Sequence, residues 1–222
     1  MAYSRDDILK QNDHYSNYSP RWEYYIRSFL GGQEYKDGKY LQEYQLELEE
    51  QYYRRIQNTP VDNHCRNIVN IYSSFLFRIK PVRELGSLEN DPTISMFLDD
   101  ADLEGRSYEA LLRELQTYAS VYGNCWAILD KPNSNAKTRA EELNQEIRPY
   151  VNIVTPENVI DWNYSRANSG KYYLDYLKVR ENIGSEKTTY RIWYTDRIDT
   201  VMMKTTGTND PVLIESVPNN LG

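Results

Sequence analysis

Pro149-Tyr-Val-Asn-Ile-Val-Thr-Pro-Glu-Asn-Val-Ile-Asp-Trp162 is the stretch on which the fold class turns. Tyr150 to Val154 reads as a short strand, and Thr155-Pro156 breaks it with a turn. A second apolar run, Val159-Ile160, closes on the large aromatic Trp162. No group in the stretch is built for chemistry, so its apolar and turn positions are specified for packing. Just upstream, Tyr122-Gly-Asn-Cys-Trp-Ala-Ile-Leu-Asp-Lys-Pro132 runs from a helix-ending glycine into a buried strand at Cys125 to Leu129.

Before Gly123 the texture is helical. Ser19-Pro20 predicts an N-cap with proline at the first helical position. Trp22, Tyr25, Ile26, Phe29 and Leu30 then fall on one face, and Gly31-Gly32 ends the element. A tyrosine-rich loop leads to a helix expected from about Leu41 to Gln57, with a stripe of Leu41, Tyr44, Leu48 and Tyr52; Glu43, Glu47, Glu50, Arg54 and Arg55 stay in water. Thr59-Pro-Val-Asp62 resembles a capping box with Asp in place of Glu. It opens a helix carrying Val61, Cys65, Ile68, Tyr72, Phe75 and Leu76, stopped before Pro81. Asp91-Pro92 starts a short helix burying Ile94, Phe97 and Leu98. Ser107 caps a strongly amphipathic one with Leu111, Leu112, Leu115, Tyr118, Ala119 and Tyr122 at helical spacing.

After Gly123 the texture favours strands. Asn133 to Arg148 is a polar insertion with at most a short helix around Thr138 to Glu146. Strands are expected at Tyr150–Val154, Tyr172–Arg180, Thr189–Tyr194, Asp199–Lys204 and Val212–Ser216, joined by connectors such as Asn168-Ser-Gly170 and Gly207-Thr-Asn-Asp-Pro211. Tyr190, Ile192 and Tyr194 share one face, Arg191 and Trp193 the other. The economical architecture is α+β, with an antiparallel meander covered on one side by the Ser107–Tyr122 helix. Residues 1–123 form a mainly helical N-terminal region and residues 124–222 a sheet region.

The 222 residues suffice for a real core, and 27% charged against 40% hydrophobic residues marks a globular chain. Tyrosine outnumbers phenylalanine 21 to 4. Its apolar body and polar tip suit half-buried surfaces that meet another chain, although a compositional bias of the source genome would leave the same count. A net charge of −7 argues against gripping nucleic acid by phosphate neutralisation, while leaving open a wall past which DNA slides. Cys65 and Cys125 read as two reduced thiols. The N-terminus has no apolar leader, and no stretch approaches a membrane-spanning length, so no membrane partner is expected.

Catalytic and metal constellations are weak. Asp100-Ala-Asp102-Leu-Glu104-Gly105 has calcium-loop spacing, but the twelfth position holds Leu111 instead of a bidentate glutamate, which leaves an acidic turn between helices. His14 lies in a polar segment. His64 precedes Cys65, yet neighbours on a helix point about 100° apart, and no second pair completes a zinc sphere. Cys125 sits in an apolar strand that would raise its thiol pKa. Serine-nucleophile and nucleotide-binding glycine motifs are absent from the sequence. Paired acids such as Asp99-Asp100 and Glu141-Glu142 read as solvated faces, and no catalytic, cofactor or metal residue is expected. The notable basic clusters are Arg54-Arg55 and Arg78-Ile-Lys80-Pro-Val-Arg83. Arg54, Arg55, Arg78, Lys80 and Arg83 are therefore the candidate contacts, either to a nucleic-acid backbone or to acids of a neighbouring subunit.

The order of these segments resembles the N-terminal, wing-region part of tailed-bacteriophage portal proteins. Trp22…Phe29-Leu-Gly-Gly looks like their early helix and glycine stop. Asn58-Thr-Pro-Val-Asp-Asn63, followed by Ile68-Val-Asn-Ile-Tyr-Ser-Ser-Phe-Leu-Phe-Arg-Ile-Lys-Pro81, looks like their helix running to a turn proline. The Tyr122–Pro132 step, Arg148-Pro-Tyr-Val and Pro156-Glu-Asn-Val-Ile-Asp-Trp162 look like the wing sheet.

The resemblance implies a structural protein, not an enzyme: one subunit of a closed ring, a dodecamer in the family, at one vertex of the capsid. It implies major capsid protein, terminase and a head–tail adaptor as partners, with double-stranded DNA passing through the channel in packaging and ejection. It places the protein in the virion, and in host cytoplasm during assembly. Portals of this kind are longer, so the resemblance also implies that the chain continues past Gly222 into channel helices. Two alternatives remain open. One is a nucleic-acid-processing enzyme domain or accessory factor using Arg78, Lys80 and Arg83 for backbone contact; the other is a head–tail adaptor that is not the portal.

Overall fold

The computed structural model describes residues 3–184, 186–204 and 210–219. The chain is α+β. Its helices are α1 (Arg5–Leu9), α2 (Asp13–Leu30), α3 (Gly32–Asp37), α4 (Glu49–Asn58), α5 (His64–Leu76), α6 (Pro92–Asp99), α7 (Tyr108–Tyr122) and α8 (Arg139–Asn144). Its strands are β1 (Trp126–Asp130), β2 (Tyr150–Val154), β3 (Val159–Arg166), β4 (Tyr172–Ile183), β5 (Lys187–Tyr194), β6 (Arg197–Lys204) and β7 (Val212–Pro218). The strands form an antiparallel β1–β2 pair and a five-stranded antiparallel meander in the order β3-β4-β5-β6-β7.

The Thr155-Pro156 turn therefore does more than interrupt a strand: it moves the chain from one sheet to the other. Tyr150–Val154 does not join the meander. It pairs with β1, Trp126 opposite Val154 and Asp130 opposite Tyr150. Pro156 is buried at the start of a short 3-10 turn, and the Glu157 carbonyl accepts from Tyr15 Oη and Arg180 Nη2, each at 3.1 Å. Strand β3 then runs on to Arg166, beyond the apolar Val159-Ile160 run. Its polar end, Asn163-Tyr-Ser-Arg, lies at the sheet edge and pairs on one side only, with β4.

Both faces of the meander are covered. On one face Ile8, Tyr15 and Trp22 pack with Ile160, Tyr190, Ile192, Val201 and Met203, and α7 adds Tyr122. This corrects the expected arrangement. The cover comes chiefly from α1 and α2, with the end of α7 beside them, and the cluster draws on residues from both sides of Gly123. On the other face Ile128 of the β1–β2 pair packs with Val159, Leu177 and Val179, flanked by Trp126, Trp162 and Trp193. The alternation expected of β5 holds: Tyr190 and Ile192 meet the helices, while Trp193 meets the strand pair.

The helix starts differ from expectation where packing outweighs a local signal. Helix α2 begins at Asp13, so Pro20 lies inside it and costs one backbone hydrogen bond, a penalty of about 3 kcal/mol in an open helix. Asn12 sets the earlier start. Its Oδ1 accepts from His14 N at 2.9 Å, its Nδ2 donates to the Trp162 carbonyl, and its N donates to the Ile160 carbonyl. Tyr15 and Trp22, one on each side of Pro20, are both buried against the sheet.

Residues 41–48 are not helical, and of the expected stripe only Tyr52 is buried. The segment folds back over α4, where Tyr52 Oη donates to the Leu41 carbonyl and Arg55 Nη2 to the Gln42 carbonyl, each at 2.8 Å. Thr59 does not open α5. Its hydroxyl donates to the Arg55 carbonyl at 2.6 Å and closes α4, while Asn63 caps α5 through Arg66 N. Helix α5 ends at Leu76, short of Pro81. Ser107 and Gly123 cap α7 as the sequence predicts, Gly123 at φ +85°. Thr138 caps α8, and Gly170 makes the turn after β3 at φ +84°. The Gly207–Asn209 part of the expected β6–β7 connector lies outside the described residues.

Candidate interaction surface

Helix α5 is held by its N-terminal end. Asn63 Nδ2 and Arg66 Nε both donate to the Phe29 carbonyl, at 2.7 and 3.0 Å, and Arg66 Nη2 donates to the Leu30 carbonyl. These carbonyls end α2, where no intrahelical donor is available. The attachment fixes the roll of α5, so that Ser73 is buried and Val69 half-buried while α5 packs on α7 and α2. The apolar stripe is thereby turned outward. Ile68, Ile71, Tyr72, Phe75 and Leu76 are 55–69% exposed, and Ile79 and Val82 beyond the helix end are more exposed still. At about 100° per residue, those five helical positions share one face. Periodicity identified this face without indicating that it meets solvent.

The candidate basic residues divide into engaged and available ones. On α4, Arg55 donates to both oxygens of Glu47, at 2.8 and 2.5 Å, and its guanidinium lies 4.4 Å from the Tyr44 ring centroid. The Arg55 hydrogen bond holds the Glu47 carboxyl below the usual carboxylate range. The expectation that Arg55 and Glu47 both stay in water is thus corrected. Arg54 is exposed and pairs with Glu50 at 2.7 Å. In the segment leaving α5, Arg83 pairs with Glu109 at 2.5 Å and lies over Tyr108, lowering the glutamate's pKa. Arg78 and Lys80 are exposed, and neither forms an ion pair among the described residues. The structure places these two beside the α5 stripe.

Two clefts complete the surface. One of about 370 Å³ lies by the N-terminal end of α5 and is lined by Tyr24, Tyr35, Tyr40, His64 and Cys65. His64 is exposed and sits 3.3 Å from Asp62. Another, of about 620 Å³, runs between α7 and strands β2 and β4, with Asp102, Glu114, Tyr118, Arg180 and Glu181 on its walls. Burial raises the Glu181 pKa against the opposing pull of Arg191. The Asp100–Gly105 loop uses its carboxylates as turn acceptors: Asp100 Oδ1 accepts from Gly105 N, and Asp102 Oδ1 from Glu104 N and Arg106 N. Buried Arg148 holds the loop through the carbonyl and carboxylate of Asp100. Among the described residues no group of three or more histidines, cysteines or acids is placed to hold a metal ion, and no helix is long and apolar enough to cross a membrane.

His14 is exposed but not isolated, stacking on Tyr18 with ring centroids 4.4 Å apart. Burial pushes the Cys125 thiol up to about 11, leaving it a packing group at neutral pH. Sequence reasoning missed a second apolar surface, the outer strand β7. Val212, Leu213 and Ile214 are all exposed on it, and the only available signal was three apolar residues in a row, a pattern that suits a buried strand equally well. No protein-family model matches this chain, and no curated protein matches it.

Proposed function

We propose that this chain is the wing part of a portal subunit, one copy in a ring at a capsid vertex of a tailed phage. Its role is architectural: the ring admits and releases double-stranded DNA, docks the terminase, and later carries the head–tail adaptor. The observation that supports this reading is the outward apolar face of α5. Contiguous apolar surface of this kind marks contact with another macromolecule. The resemblance in segment order supplies the kind of contact, a head-to-tail ring of identical chains. The α5 stripe, with tyrosines at its flank, suits a packed subunit boundary.

Negative-stain electron microscopy of the purified gene product, with native mass spectrometry, tests the reading. Annular particles of one defined stoichiometry are the expected result. A gene product that remains monomeric at every concentration and in the presence of capsid protein would sink it.

A further inference from the structure

We propose that α5 of one copy packs on strand β7 of the next, making a head-to-tail contact between two different faces of the same chain. This inference rests on the ring reading and names the surfaces that join its subunits.

Strand β7 pairs with β6 on one side, and its other backbone edge faces outward among the described residues. Strand β7 carries a bulge, Glu215 and a terminal Pro218, devices that blunt a backbone edge, so the contact proposed here is made by its side chains. Here the exposed run is Val212-Leu-Ile214, with a register shift opposite Thr200 and Val201 that takes Ile214 out of simple alternation. Apolar side chains are therefore presented on both sides of the strand. Helix α5 presents the complementary shape, a single ridge formed by Ile68, Ile71, Tyr72, Phe75 and Leu76.

Charge selects the occupant. The α5 ridge ends at exposed Arg78 and Lys80, and the β7 run is flanked by exposed Asp210 and Glu215. None of these four forms an ion pair among the described residues. Pairing β7 with a second β7 would bring acidic flanks together, whereas α5 on β7 sets cations against carboxylates. The apolar residues would form the dry centre and the charges the rim, as in stable interfaces. Because the two faces differ, each copy keeps one free face, and the contact propagates until it closes.

The test uses the purified gene product with two variants, Ile71→Glu/Phe75→Glu on α5 and Leu213→Lys/Ile214→Lys on β7. All four positions are exposed, and circular dichroism with thermal melting verifies that both variants fold. Sedimentation and native mass spectrometry then read assembly. Each variant alone is expected to associate at least about a hundredfold more weakly than the parent. An equimolar mixture is expected to give one-to-one heterodimers and nothing larger, since only one intact α5 face and one intact β7 face remain. Variants that assemble like the parent, a β7 variant that dimerises by itself through α5, a mixture that stays monomeric, or a monomeric parent would each overturn the contact. The ring reading fails separately, if the parent forms only open chains of variable length while the mixture still gives heterodimers.

Discussion

Lys178 Nζ lies 3.6 Å from Asp161 Oδ2, with both side chains almost wholly excluded from solvent, and the same ammonium donates to the carbonyls of Asp7 and Lys10 at 2.8 and 2.7 Å. Asp161 also accepts from Tyr176 Oη at 2.8 Å. Lysine on β4 thus terminates α1, whose last carbonyls have no donor of their own, and fastens the N-terminal segment to the sheet. Burial lowers the Lys178 pKa, and Asp161 opposes that shift.

Replacing this lysine tests the fastening. Lys178→Met leaves the Asp161 carboxylate buried beside two orphaned carbonyls, and is expected to cost about 3–5 kcal/mol. For a chain of this size that lowers Tm by roughly 10 °C. Limited proteolysis is expected to cut between α1 and α2 sooner than in the parent. An unchanged melting curve would show that the ammonium does not hold α1.

Two glycines at helix ends are expected to differ in cost. Gly123 has φ +85° and open space where a Cβ would go, so Gly123→Ala pays left-handed strain alone, about 1–2 kcal/mol. Gly31 has φ +65°, and a Cβ there would strike the Asn63 amide that links the end of α2 to the start of α5. Gly31→Ala is therefore expected to be the more destabilising change by urea unfolding. Equal midpoints for the two variants would remove Asn63 as a strut.

Stability is expected to fall at both ends of the pH range. Burial, with bonds to acceptors, raises the pKa of Tyr3, Tyr122 and Tyr176 above their ordinary value of 10.0. The unfolded chain loses those protons first, so their contribution is complete below about pH 10 and declines above it. Lys178, shifted down, works in the opposite sense as pH rises toward its ordinary 10.5 and adds no further change above it, where the tyrosines still lower stability. On the acid side, burial would raise Asp199, yet hydrogen bonds from Ser216, Tyr3 and Arg197 leave it below its ordinary 3.8. That contribution is present above about pH 4 and is lost as pH falls through the lowered pKa. Thermal midpoints measured across pH check both limbs; a midpoint still rising above about pH 11 would contradict the tyrosine assignment.

The basic residues should separate by what they touch. Arg55→Ala removes the fork to Glu47 and the bond to the Gln42 carbonyl, and is expected to lower Tm and loosen residues 41–48 in hydrogen exchange. Arg78 forms no ion pair among the described residues, and Arg78→Ala is expected to leave Tm unchanged. If the two variants melt alike, the division into engaged and available cations is wrong.

Elements whose ends carry their own chemistry were legible in the sequence. Ser107 and Gly123 bound α7, Asp91-Pro92 starts α6, and the alternation of β5 assigns its two faces. Elements held by distant partners were not. The start of α2 depends on Asn12 meeting the backbone of Ile160 and Trp162, and residues 41–48 depend on Tyr52 and Arg55 reaching back over them. The basic clusters were visible as charges, but their division required Glu47 and Glu109 to be located in space.

The sequence alone determined an α+β chain, mainly helical before Gly123 and rich in strands after it, because caps, glycine stops and hydrophobic periods act within a few residues. Tertiary structure decided which side of each element meets water. A period of 3.6 marks the apolar face of α5, but only the anchoring of Asn63 and Arg66 to the end of α2 turns that face outward. In the same way Pro149–Trp162 announces two strands, and only the burial of Pro156 under α2 sends them to different sheets. Local propensity is a property of neighbours along the chain, whereas exposure is set by whatever packs from far away.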